Sequence, residues 1–237
     1  SGGPDSLALT AVAARVRPTT ALIVDHALQT GSRAAAESAR EQALSLGCVA
    51  AQVIPVVVGR TGGPEAAARS ARYAALRAAR GAAPVLLGHT LDDQAETVLL
   101  GLGRGSGPRS IAGMRPHDPP WHRPLLGVRR AVTHAACYEL GLKPWHDPHN
   151  FECRFTRTRL RLEVLPLLEE VLGGGVAEAL GRTATALRED TDSLDELARH
   201  VLDDITTPGG ELDTAALGPL PDAVRRRVIR SWVLAGW

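Results

Sequence analysis

Ser1-Gly2-Gly3-Pro4-Asp5-Ser6 is the stretch from which we infer the fold of this chain, because two glycines stand there directly before a predicted helix. The first turn of a helix leaves backbone N–H groups without partners and carries the positive end of the helix dipole, so it can bind phosphate. Gly2 and Gly3 permit close approach to the backbone, and Pro4 is tolerated in a first helical turn. The stretch therefore predicts a phosphate-binding loop.

Three side chains of the same stretch can contribute to such a site. The hydroxyls of Ser1 and Ser6 can donate hydrogen bonds, and the carboxylate of Asp5 can hold Mg²⁺ beside phosphates. No lysine follows the glycines, which excludes the lysine-dependent P-loop. A Gly-Gly turn before a helix also occurs without a ligand, so the loop by itself leaves a purely structural role open.

The first 100 residues alternate between apolar strands and Ala/Leu-rich helices. Strands that are apolar throughout, joined by helices of roughly 15 residues, predict an α/β fold with a doubly wound parallel sheet. We predict strands at 21–24, 53–58 and 85–88, and helices at 5–15, 32–46, 64–80 and 92–102.

Polar residues follow two of these strands. Ligands bind at the carboxyl ends of the strands in parallel sheets. Asp25 and His26 follow the first strand, and Gly88 and His89 end the third. These four residues are therefore predicted to lie at a binding site.

A cluster of carboxylates follows His89. Asp92 and Asp93 are one helical turn from Glu96, which makes the three side chains neighbours on one helix. They repel one another unless a cation joins them, which points to Mg²⁺ or a substrate ammonium group. Acidic residues are also favoured in the first turn of a helix, so N-terminal capping is the alternative.

Two groups of arginines are candidate phosphate ligands. Arg69 and Arg72 lie on the third predicted helix, and Arg157, Arg159 and Arg161 lie on a helix predicted from about 156 to 170. Alternate arginines on a helix point to different sides, so at most two of the latter can face one phosphate. For any single arginine, a solvated position remains the alternative.

The overall charge of +1 hides a strong asymmetry. Residues 97–161 carry 11 basic and 4 acidic side chains, whereas residues 162–237 carry 7 and 14. A basic middle beside an acidic tail is typical of an enzyme that binds a polyanion and carries a separate appendage. An ordinary solvated surface would explain the charges equally well.

Composition excludes several classes of protein. The three cysteines, Cys48, Cys137 and Cys153, are widely spaced and form no C-x-x-C, which argues against a disulfide framework and against a cysteine-held metal. They fit a reducing cytoplasm. No apolar run approaches the roughly 18 residues that a membrane span needs, so we expect no membrane partner.

The sequence predicts two parts. Residues 1–172 form the predicted catalytic domain, and residues 173–237, after Gly173-Gly174-Gly175, form a helical linker and appendage. The segment 103–123, rich in Gly, Pro and Arg, is predicted to be a long functional loop. A glycine loop of this type ordinarily follows a strand, so we expect that strand upstream of Ser1 and expect the appendage to be truncated.

Taken together, these segments resemble the tRNA(Ile)-lysidine synthases, a family of PP-loop ATPases (N-type ATP pyrophosphatases) with a Rossmann-like fold. The resemblance runs in order through most of the first 170 residues, and the run from Gly88 to Thr97 with the later arginine segment is its most specific part. The matching segments are Ser1–Ser6, Val24–His26, Glu65–Tyr73, Gly88–Thr97, Gly105–Gly107, Gly113–Pro116, Arg123–Leu126, Asp147–Asn150 and Thr156–Arg161.

The resemblance implies a ligase that forms a carbon–nitrogen bond. It would join L-lysine to the wobble cytidine of the isoleucine tRNA with a CAU anticodon, through an adenylated base, with ATP and Mg²⁺. Carried over to this sequence, Asp5 and Glu96 would meet Mg²⁺, and Asp93 and Glu96 would meet Mg²⁺ or the lysine ammonium group. The nucleotide would contact Ser1, Gly2, Gly3, Pro4, Asp5, Ser6, Asp25, His26, Gly88 and His89, with phosphates also facing Arg69 and Arg159.

The sequence differs from the family pattern in two places, and two alternative functions remain open. Ala27-Leu28-Gln29 stands where the family often has Gly-Leu-Arg, so that arginine is missing here. The resemblance implies that the appendage at 173–237 binds tRNA, and the part after residue 175 is short for tRNA discrimination. Another PP-loop enzyme such as a tRNA thiolase would share the glycine loop but uses cysteines for sulfur handling. A nucleotide-binding module without catalysis would not need the carboxylates and His89 together. Whether the chain forms a homodimer stays open.

Overall fold

The computed structural model describes the chain except residues 1, 28–30, 60–62, 106, 146, 149–151, 153 and 237, and the side chains of 64 and 65. The helices are α1 (Pro4–Val16), α2 (Ser32–Ser45), α3 (Pro64–Ala79), α4 (Leu91–Gly103), α5 (Pro108–Ile111), α6 (Arg130–Glu139), α7 (Thr156–Arg159), α8 (Leu165–Val171), α9 (Val176–Ile205), α10 (Thr214–Leu217) and α11 (Asp222–Leu234). The strands are β1 (Thr20–Asp25), β2 (Ala50–Pro55), β3 (Val85–Leu86), β4 (His117–Asp118) and β5 (Trp121–His122).

The strands alternate with helices in the α/β manner that the sequence predicts. β1 pairs with β2 in parallel, from Thr20 opposite Ala50 to Asp25 opposite Pro55. β3 pairs in parallel with β5, and β4 adds an antiparallel edge to β5. Parallel pairing of consecutive strands requires a helix between them, and α2 fills that role by packing on both β1 and β2.

Three of the predicted element bounds are wrong. The strand predicted at 53–58 lies at Ala50–Pro55 and ends where Pro55, which has no N–H, meets the end of β1. The long loop predicted at 103–123 contains α5 and the β4–β5 hairpin. The helix predicted at 156–170 is interrupted by a π-helical turn, Leu160–Val164, just before Pro166, whose missing N–H breaks the regular ladder.

Small and aromatic residues form the core around the sheet. Ala36 and Ala39 of α2 are buried against Ile23, so the helix approaches β1 closely. Leu76, Val85 and Trp121 form a second cluster, in which the rings of Tyr73 and Trp121 meet edge to face with centroids 4.6 Å apart. These contacts hold α3 against the strands that carry the predicted site.

The chain divides into two compact units. Unit 1 contains residues 1–96 and 114–178, and unit 2 contains residues 97–113 and 179–237. This differs from the single boundary that the sequence predicts at residue 172, because residues 97–113 belong with the C-terminal helices. Unit 2 has its own core, in which Ala198, Val224 and Val228 are buried. Among the described residues, no helix is both long and apolar enough to cross a membrane.

Candidate active site

The glycine loop is fixed at the start of α1. Gly2 adopts the left-handed region with φ +74°, and a Cβ there would lie 3.0 Å from the Cβ of Ala39, so only glycine fits. The carbonyl of Gly2 accepts a hydrogen bond from the N–H of Trp145 at 2.9 Å. Ser1 lies outside the described residues.

The first turn of α1 has backbone N–H groups that the hydrogen bonds of the helix itself do not use. Gly3 precedes the helix in an extended conformation, Pro4 occupies its first position, and the N–H of Leu7 donates to the Gly3 carbonyl at 3.0 Å. The N–H groups of Asp5 and Ser6 therefore precede the first hydrogen bond of the helix. The hydroxyl of Ser6 donates to the Gly3 carbonyl at 3.0 Å, an arrangement that steadies the loop.

Gly88 brings the end of β3 against this first turn. A Cβ on Gly88 would lie 3.0 Å from the carbonyl oxygen of Asp5 and 3.2 Å from the Cα of Ser6. A backbone atom cannot move aside as a flexible side chain can, so the position requires glycine. The consequence is that His89 and the start of α4 lie beside the glycine loop.

Asp5 is a half-buried carboxylate at this junction. Its Oδ1 accepts a hydrogen bond from the hydroxyl of Thr133 at 2.5 Å, and its Oδ2 lies 3.7 Å from Nε of Arg130. Burial raises the pKa of Asp5, although Thr133 and Arg130 act in the opposite direction. Mg²⁺ commonly binds to one or two carboxylates together with substrate phosphates, and Asp5 beside the glycine loop fits that pattern.

Asp93 forms a capping box at the start of α4. Its Oδ2 accepts hydrogen bonds from the backbone N–H of Thr90 at 2.8 Å and from the Thr90 hydroxyl at 2.9 Å. Its Oδ1 accepts from Nη2 of Arg130 at 2.7 Å. Burial raises the pKa of Asp93, but Arg130, Thr90 and Arg161 outweigh burial and hold it below its usual value.

Glu96 is fully buried and lies between two arginines. Its Oε1 accepts from Nε of Arg161 at 2.7 Å and from Nη1 and Nη2 of Arg130 at 3.3 Å, and its Oε2 accepts from Nη2 of Arg161 at 3.1 Å. The sequence predicts Glu96 as a ligand of Mg²⁺. In the structure both carboxylate oxygens accept hydrogen bonds from guanidinium groups, and a contact of Glu96 with Mg²⁺ stays a prediction.

Two arginines link the three carboxylates of this cluster. Arg130 contacts Asp5, Asp93 and Glu96, and Arg161 contacts Asp93 and Glu96. Burial lowers the pKa of Arg130, but Asp93 and Glu96 outweigh burial and raise it, so its guanidinium stays charged.

Asp92 has a structural role on the other side of α4. Its Oδ2 accepts from the backbone N–H of Arg130 at 2.7 Å, which caps the start of α6. Its Oδ1 lies 3.4 Å from Nη2 of Arg129. Arg129 in turn contacts Glu178 at 2.9 Å and Glu169 at 3.4 Å. The sequence left helix capping open as an alternative to cation binding for these carboxylates, and Asp92 has that capping role.

Gln94 of the same run anchors the chain that returns from the C-terminal unit. Its side-chain amide donates to the carbonyl of Met114 at 3.0 Å and accepts from the N–H of Met114 at 2.7 Å. This two-point contact fixes the segment that leads to the β4–β5 hairpin.

Two histidines and an arginine form the opposite part of the site. His26 and His89 each have a buried Nδ1 with no hydrogen-bond partner among the described residues. Burial, Arg72 and Arg123 lower the pKa of His89 to about 4 against the influence of Asp93, so its ring is neutral at pH 7. Burial and Arg72 also lower the pKa of His26.

Arg72 is a guanidinium without a counter-ion in the described part of the chain. Burial and the neighbouring Arg69 lower its pKa, and no hydrogen bond or ion pair joins it to a described residue. A charge in this position is costly unless an anion accompanies it. Arg72 lowers the pKa of both His26 and His89, which shows that the three side chains lie near one another.

A cavity of about 230 Å³ adjoins the carboxylate cluster inside unit 1. Its walls combine charged groups with aliphatic surface, which suits a ligand that has both. The lining residues are Asp92, Arg129, Arg130, Arg161, Leu165, Pro166, Glu169 and Ala177.

Comparison with known proteins identifies the family. The model of the PP-loop domain matches residues 1–168. A tRNA(Ile)-lysidine synthase of Mycobacterium tuberculosis is 74% identical over 239 residues, which cover all of this chain and 74% of that protein. The chain belongs to the tRNA(Ile)-lysidine synthase family. A lysidine synthase of Rhodococcus erythropolis is 62% identical over 237 residues, covering all of this chain and 73% of that protein.

The PP-loop fold of this lysidine synthase family member is shared with a more distant enzyme. The structure of a U34-tRNA thiolase from Methanococcus maripaludis, with its [4Fe-4S] cluster, aligns with a TM-score of 0.66 and 19% identity over 80% of this chain and 70% of that chain. The likeness confirms the predicted fold. Cys48 and Cys137 are free and buried, and burial raises the pKa of both thiols, so neither resembles a reactive sulfur carrier.

Two arginines singled out from the lysidine synthase motifs lie away from the carboxylates. Arg69 is exposed, with its guanidinium 5.0 Å from the centre of the Tyr73 ring, and both Arg69 and Arg72 lie near enough to His89 to lower its pKa. Arg159 pairs with Glu163 at 2.8 Å, and its side chain is 61% exposed. Only Arg161 of the later arginine segment contacts Glu96, because alternate positions on a helix face different sides.

Arg130, Thr133 and Thr90 belong to the site and were not found from the sequence. Arg130 stands in a basic segment beside Arg129, and nothing in the local pattern distinguishes the two. Thr90 offers a signal: a threonine three residues before an acidic residue at a predicted helix start is a capping box.

Proposed function

We propose that this member of the lysidine synthase family joins L-lysine to the wobble cytidine of the isoleucine tRNA with a CAU anticodon. The reaction consumes ATP and gives lysidine, AMP and pyrophosphate. The observation that carries the proposal is the carboxylate–arginine cluster beside the glycine loop. It places three carboxylates and two arginines beside a helix start that can bind phosphate, which suits a reaction between ATP and an amine.

The first step activates the base. The C2 oxygen of the cytidine attacks the α-phosphate of ATP, an O–P bond forms, and pyrophosphate leaves. The backbone N–H groups in the first turn of α1 would donate hydrogen bonds to the phosphates. Mg²⁺ held by Asp5 would neutralise charge on the leaving pyrophosphate.

Arg72, His26 and His89 act on the nucleotide side of this step. Arg72 gains the counter-ion that it lacks among the described residues when a phosphate arrives. The neutral rings of His26 and His89 can contact adenosine without adding charge, and each has a free Nδ1 for a hydrogen bond. Asp25, which is buried and accepts from the N–H of Ala27 at 3.0 Å, holds the strand end that carries His26.

The second step transfers the base from phosphate to lysine. The lysine amine attacks C2 of the adenylated base, the C2–O bond breaks, and AMP leaves. The carboxylates of Asp5, Asp93 and Glu96 attract the lysine ammonium group and orient it beside the activated base. The adjoining cavity offers aliphatic walls at Leu165 and Pro166 for the methylene chain of the amino acid.

We place the reaction in the cytoplasm, where tRNA, ATP and lysine meet. The free thiols of Cys48 and Cys137 agree with a reducing compartment.

Labelled lysine tests the proposal directly. The purified chain is incubated with ATP, Mg²⁺, labelled lysine and transcripts of the isoleucine tRNA or the elongator methionine tRNA, which also has a CAU anticodon. We expect label in the isoleucine tRNA alone, with one pyrophosphate released per lysine incorporated.

The variant Asp93→Asn should reduce incorporation at least 100-fold, because it removes the charge that attracts the ammonium group and keeps the shape of the side chain. Glu163→Gln, an exposed carboxylate of the same unit, is the matched control and should leave incorporation within twofold. Failure of lysine to enter the tRNA while ATP still binds, or entry of sulfur in its place, would contradict the proposal.

A further inference from the structure

The segment 141–145, which follows α6 in unit 1, returns to the glycine loop. Gly141 ends the helix in the left-handed region with φ +62°, and the N–H of Leu142 donates to the carbonyl of Cys137 at 2.9 Å. This hydrogen bond and the conformation of Gly141 define a Schellman motif, which reverses the chain at a helix end. Leu142 packs against the cluster that contains Leu7 of α1 and Cys137, so the start of the segment is fixed on α1.

Gln42 of α2 holds the next residue of the segment by both of its backbone groups. Its Oε1 accepts from the N–H of Lys143 at 2.9 Å, and its Nε2 donates to the carbonyl of Lys143 at 3.1 Å across 101 residues of sequence. A two-point contact fixes both the position and the direction of a backbone, which a single hydrogen bond does not. Pro144 restricts the segment further, because its ring fixes φ and disfavours the helical conformation for Lys143.

Trp145 joins the end of this segment to the glycine loop. Its N–H donates to the carbonyl of Gly2 at 2.9 Å, and its Cβ lies 3.9 Å from the place of a Cβ on Gly2. The Gly2 carbonyl belongs to the peptide group that links Gly2 to Gly3. The C=O and N–H of a trans peptide group point in opposite directions, so this hydrogen bond turns the N–H of Gly3 away from Trp145. The segment 141–145 therefore sets the direction of a backbone donor in the glycine loop.

The glycine loop needs such support from outside. Glycine adopts positive and negative φ about equally well, so a peptide group between Gly2 and Gly3 can turn over at little cost. Ordering its N–H only when the ligand arrives would reduce affinity. Two contacts from the same part of the chain hold the loop beforehand, namely that of Trp145 with Gly2 and a hydrogen bond from Sγ of Cys137 to the carbonyl of Pro4 at 3.2 Å.

We propose that Gln42 is a positioning residue for ATP. It acts through the segment 141–145 and the Gly2 carbonyl, and it directs the N–H of Gly3 toward the phosphates before they bind. The inference rests on the proposed function for the use of ATP. A contact that only stabilised α2 would affect every ligand of the site alike, whereas this one should affect the phosphates and leave the adenosine end of the nucleotide unchanged.

The test is Gln42→Met in the full chain, because methionine is of similar length and cannot make the two hydrogen bonds of the amide. The matched control is Gln52→Met, the same change at an exposed position of β2. Calorimetry measures the affinity for ATP and for adenosine, which has no phosphate. We expect Gln42→Met to lose affinity for ATP by about fivefold or more and to keep its affinity for adenosine within twofold.

Hydrogen exchange tests the structural link in the absence of ligand. The N–H groups of Lys143 and Trp145 should exchange at least about tenfold faster in Gln42→Met than in the unmodified chain, because the segment is then held at one end only. In the steady state, the KM for ATP should rise with the loss of affinity, and the KM for lysine should stay within twofold. Gln52→Met should change none of these quantities.

Circular dichroism checks the fold of each variant. If Gln42→Met does not fold, Gln42→Glu replaces it, since glutamate keeps the acceptor for the N–H of Lys143 and lacks the donor, and it should show a smaller loss of ATP affinity in the same direction. Equal ATP affinity in the Gln42 and Gln52 variants would overturn the proposal. An equal loss of ATP and adenosine affinity would overturn it as well, because it would show a general disturbance of the site.

Failure of the proposed function gives a different result. The unmodified chain would then incorporate no lysine, while the ATP affinities and the exchange rates of the variants would still differ as stated.

Discussion

Arg161 and Glu96 form a two-point ion pair across 65 residues of sequence, with Nε to Oε1 at 2.7 Å and Nη2 to Oε2 at 3.1 Å. The carboxylate end of this pair is fully buried. The pair joins the π-helical turn after α7 to the second turn of α4, so two segments that are separate motifs in the sequence form one site. Its geometry is the planar fork that arginine alone provides.

We expect Arg161→Met to destabilise the chain by about 3 kcal/mol, because it leaves the buried carboxylate of Glu96 with weaker partners. Urea unfolding followed by circular dichroism measures the change. Arg159→Met, two residues away, removes an exposed pair with Glu163 and should cost less than about 1 kcal/mol. Equal losses of unfolding free energy in the two variants would show that the buried pair stabilises the chain no more than the exposed pair does.

Gly88→Ala should destabilise the chain by about 1–3 kcal/mol, because the new Cβ meets the backbone of Asp5 at 3.0 Å. The same displacement should weaken ATP binding, since it shifts the first turn of α1. Gly127→Ala is the control, as no atom lies within 4 Å of a Cβ at that position. Thermal unfolding and nucleotide titration by calorimetry give both readouts. An unaltered ATP affinity in Gly88→Ala would argue against a close approach of Gly88 to the first turn of α1.

Arg72→Met should have opposite effects on stability and on ligand binding. Without ligand, the variant should be at least as stable as the unmodified chain, by up to about 1 kcal/mol, because a guanidinium that lacks a described counter-ion is removed. Its affinity for ATP should fall tenfold or more. Arg69→Met removes an exposed arginine from the same helix and should change affinity less than threefold. A loss of stability in Arg72→Met would show that its guanidinium is already compensated.

The stability of the chain should depend on His89 in mildly acid solution. The folded-state pKa of His89 is about 4, below its ordinary value of 6.5, so the unfolded chain takes up its proton first as the pH falls. This contribution to stability is complete above about pH 6.5 and declines by about 1.4 kcal/mol per pH unit until the folded-state pKa is reached. Urea unfolding of the unmodified chain and of His89→Asn at pH 7, 6 and 5 measures it. Parallel losses in the two proteins would refute the depressed pKa.

Local pattern was enough to predict the α/β class, whereas the position of the site at the strand ends stays a prediction. Asp25 ends β1, which pairs in parallel with β2, and Gly88 comes after β3, which pairs in parallel with β5. The motif resemblance indicated the family, which the comparisons confirm. The fold class and the motifs depend on residues close together in the chain, so hydrophobic periodicity and turn residues are enough to predict them.

Partners across long stretches of sequence could not be predicted in the same way. Arg130 reaches Asp93 and Glu96 from α6, 37 and 34 residues away, and only the packing of α6 on α1 puts it there. These contacts could not be predicted from the sequence, because the charge of a distant arginine leaves no mark on the helix that carries the carboxylates. The interruption at Leu160–Val164 turns Arg161 inward, whereas a uniform helix gave no reason to prefer it to Arg159.

The capping box at Asp93 affects how variants at this position are interpreted. One carboxylate both starts α4 through Thr90 and carries the charge that Arg130 partly neutralises, so Asp93→Ala removes a helix cap and a charge in a single step. A genetic screen that measures growth alone would attribute the loss of both the cap and the charge to a loss of catalysis. The pair Asp93→Ala and Asp93→Asn separates the two, since asparagine keeps the acceptor for Thr90 and lacks the charge.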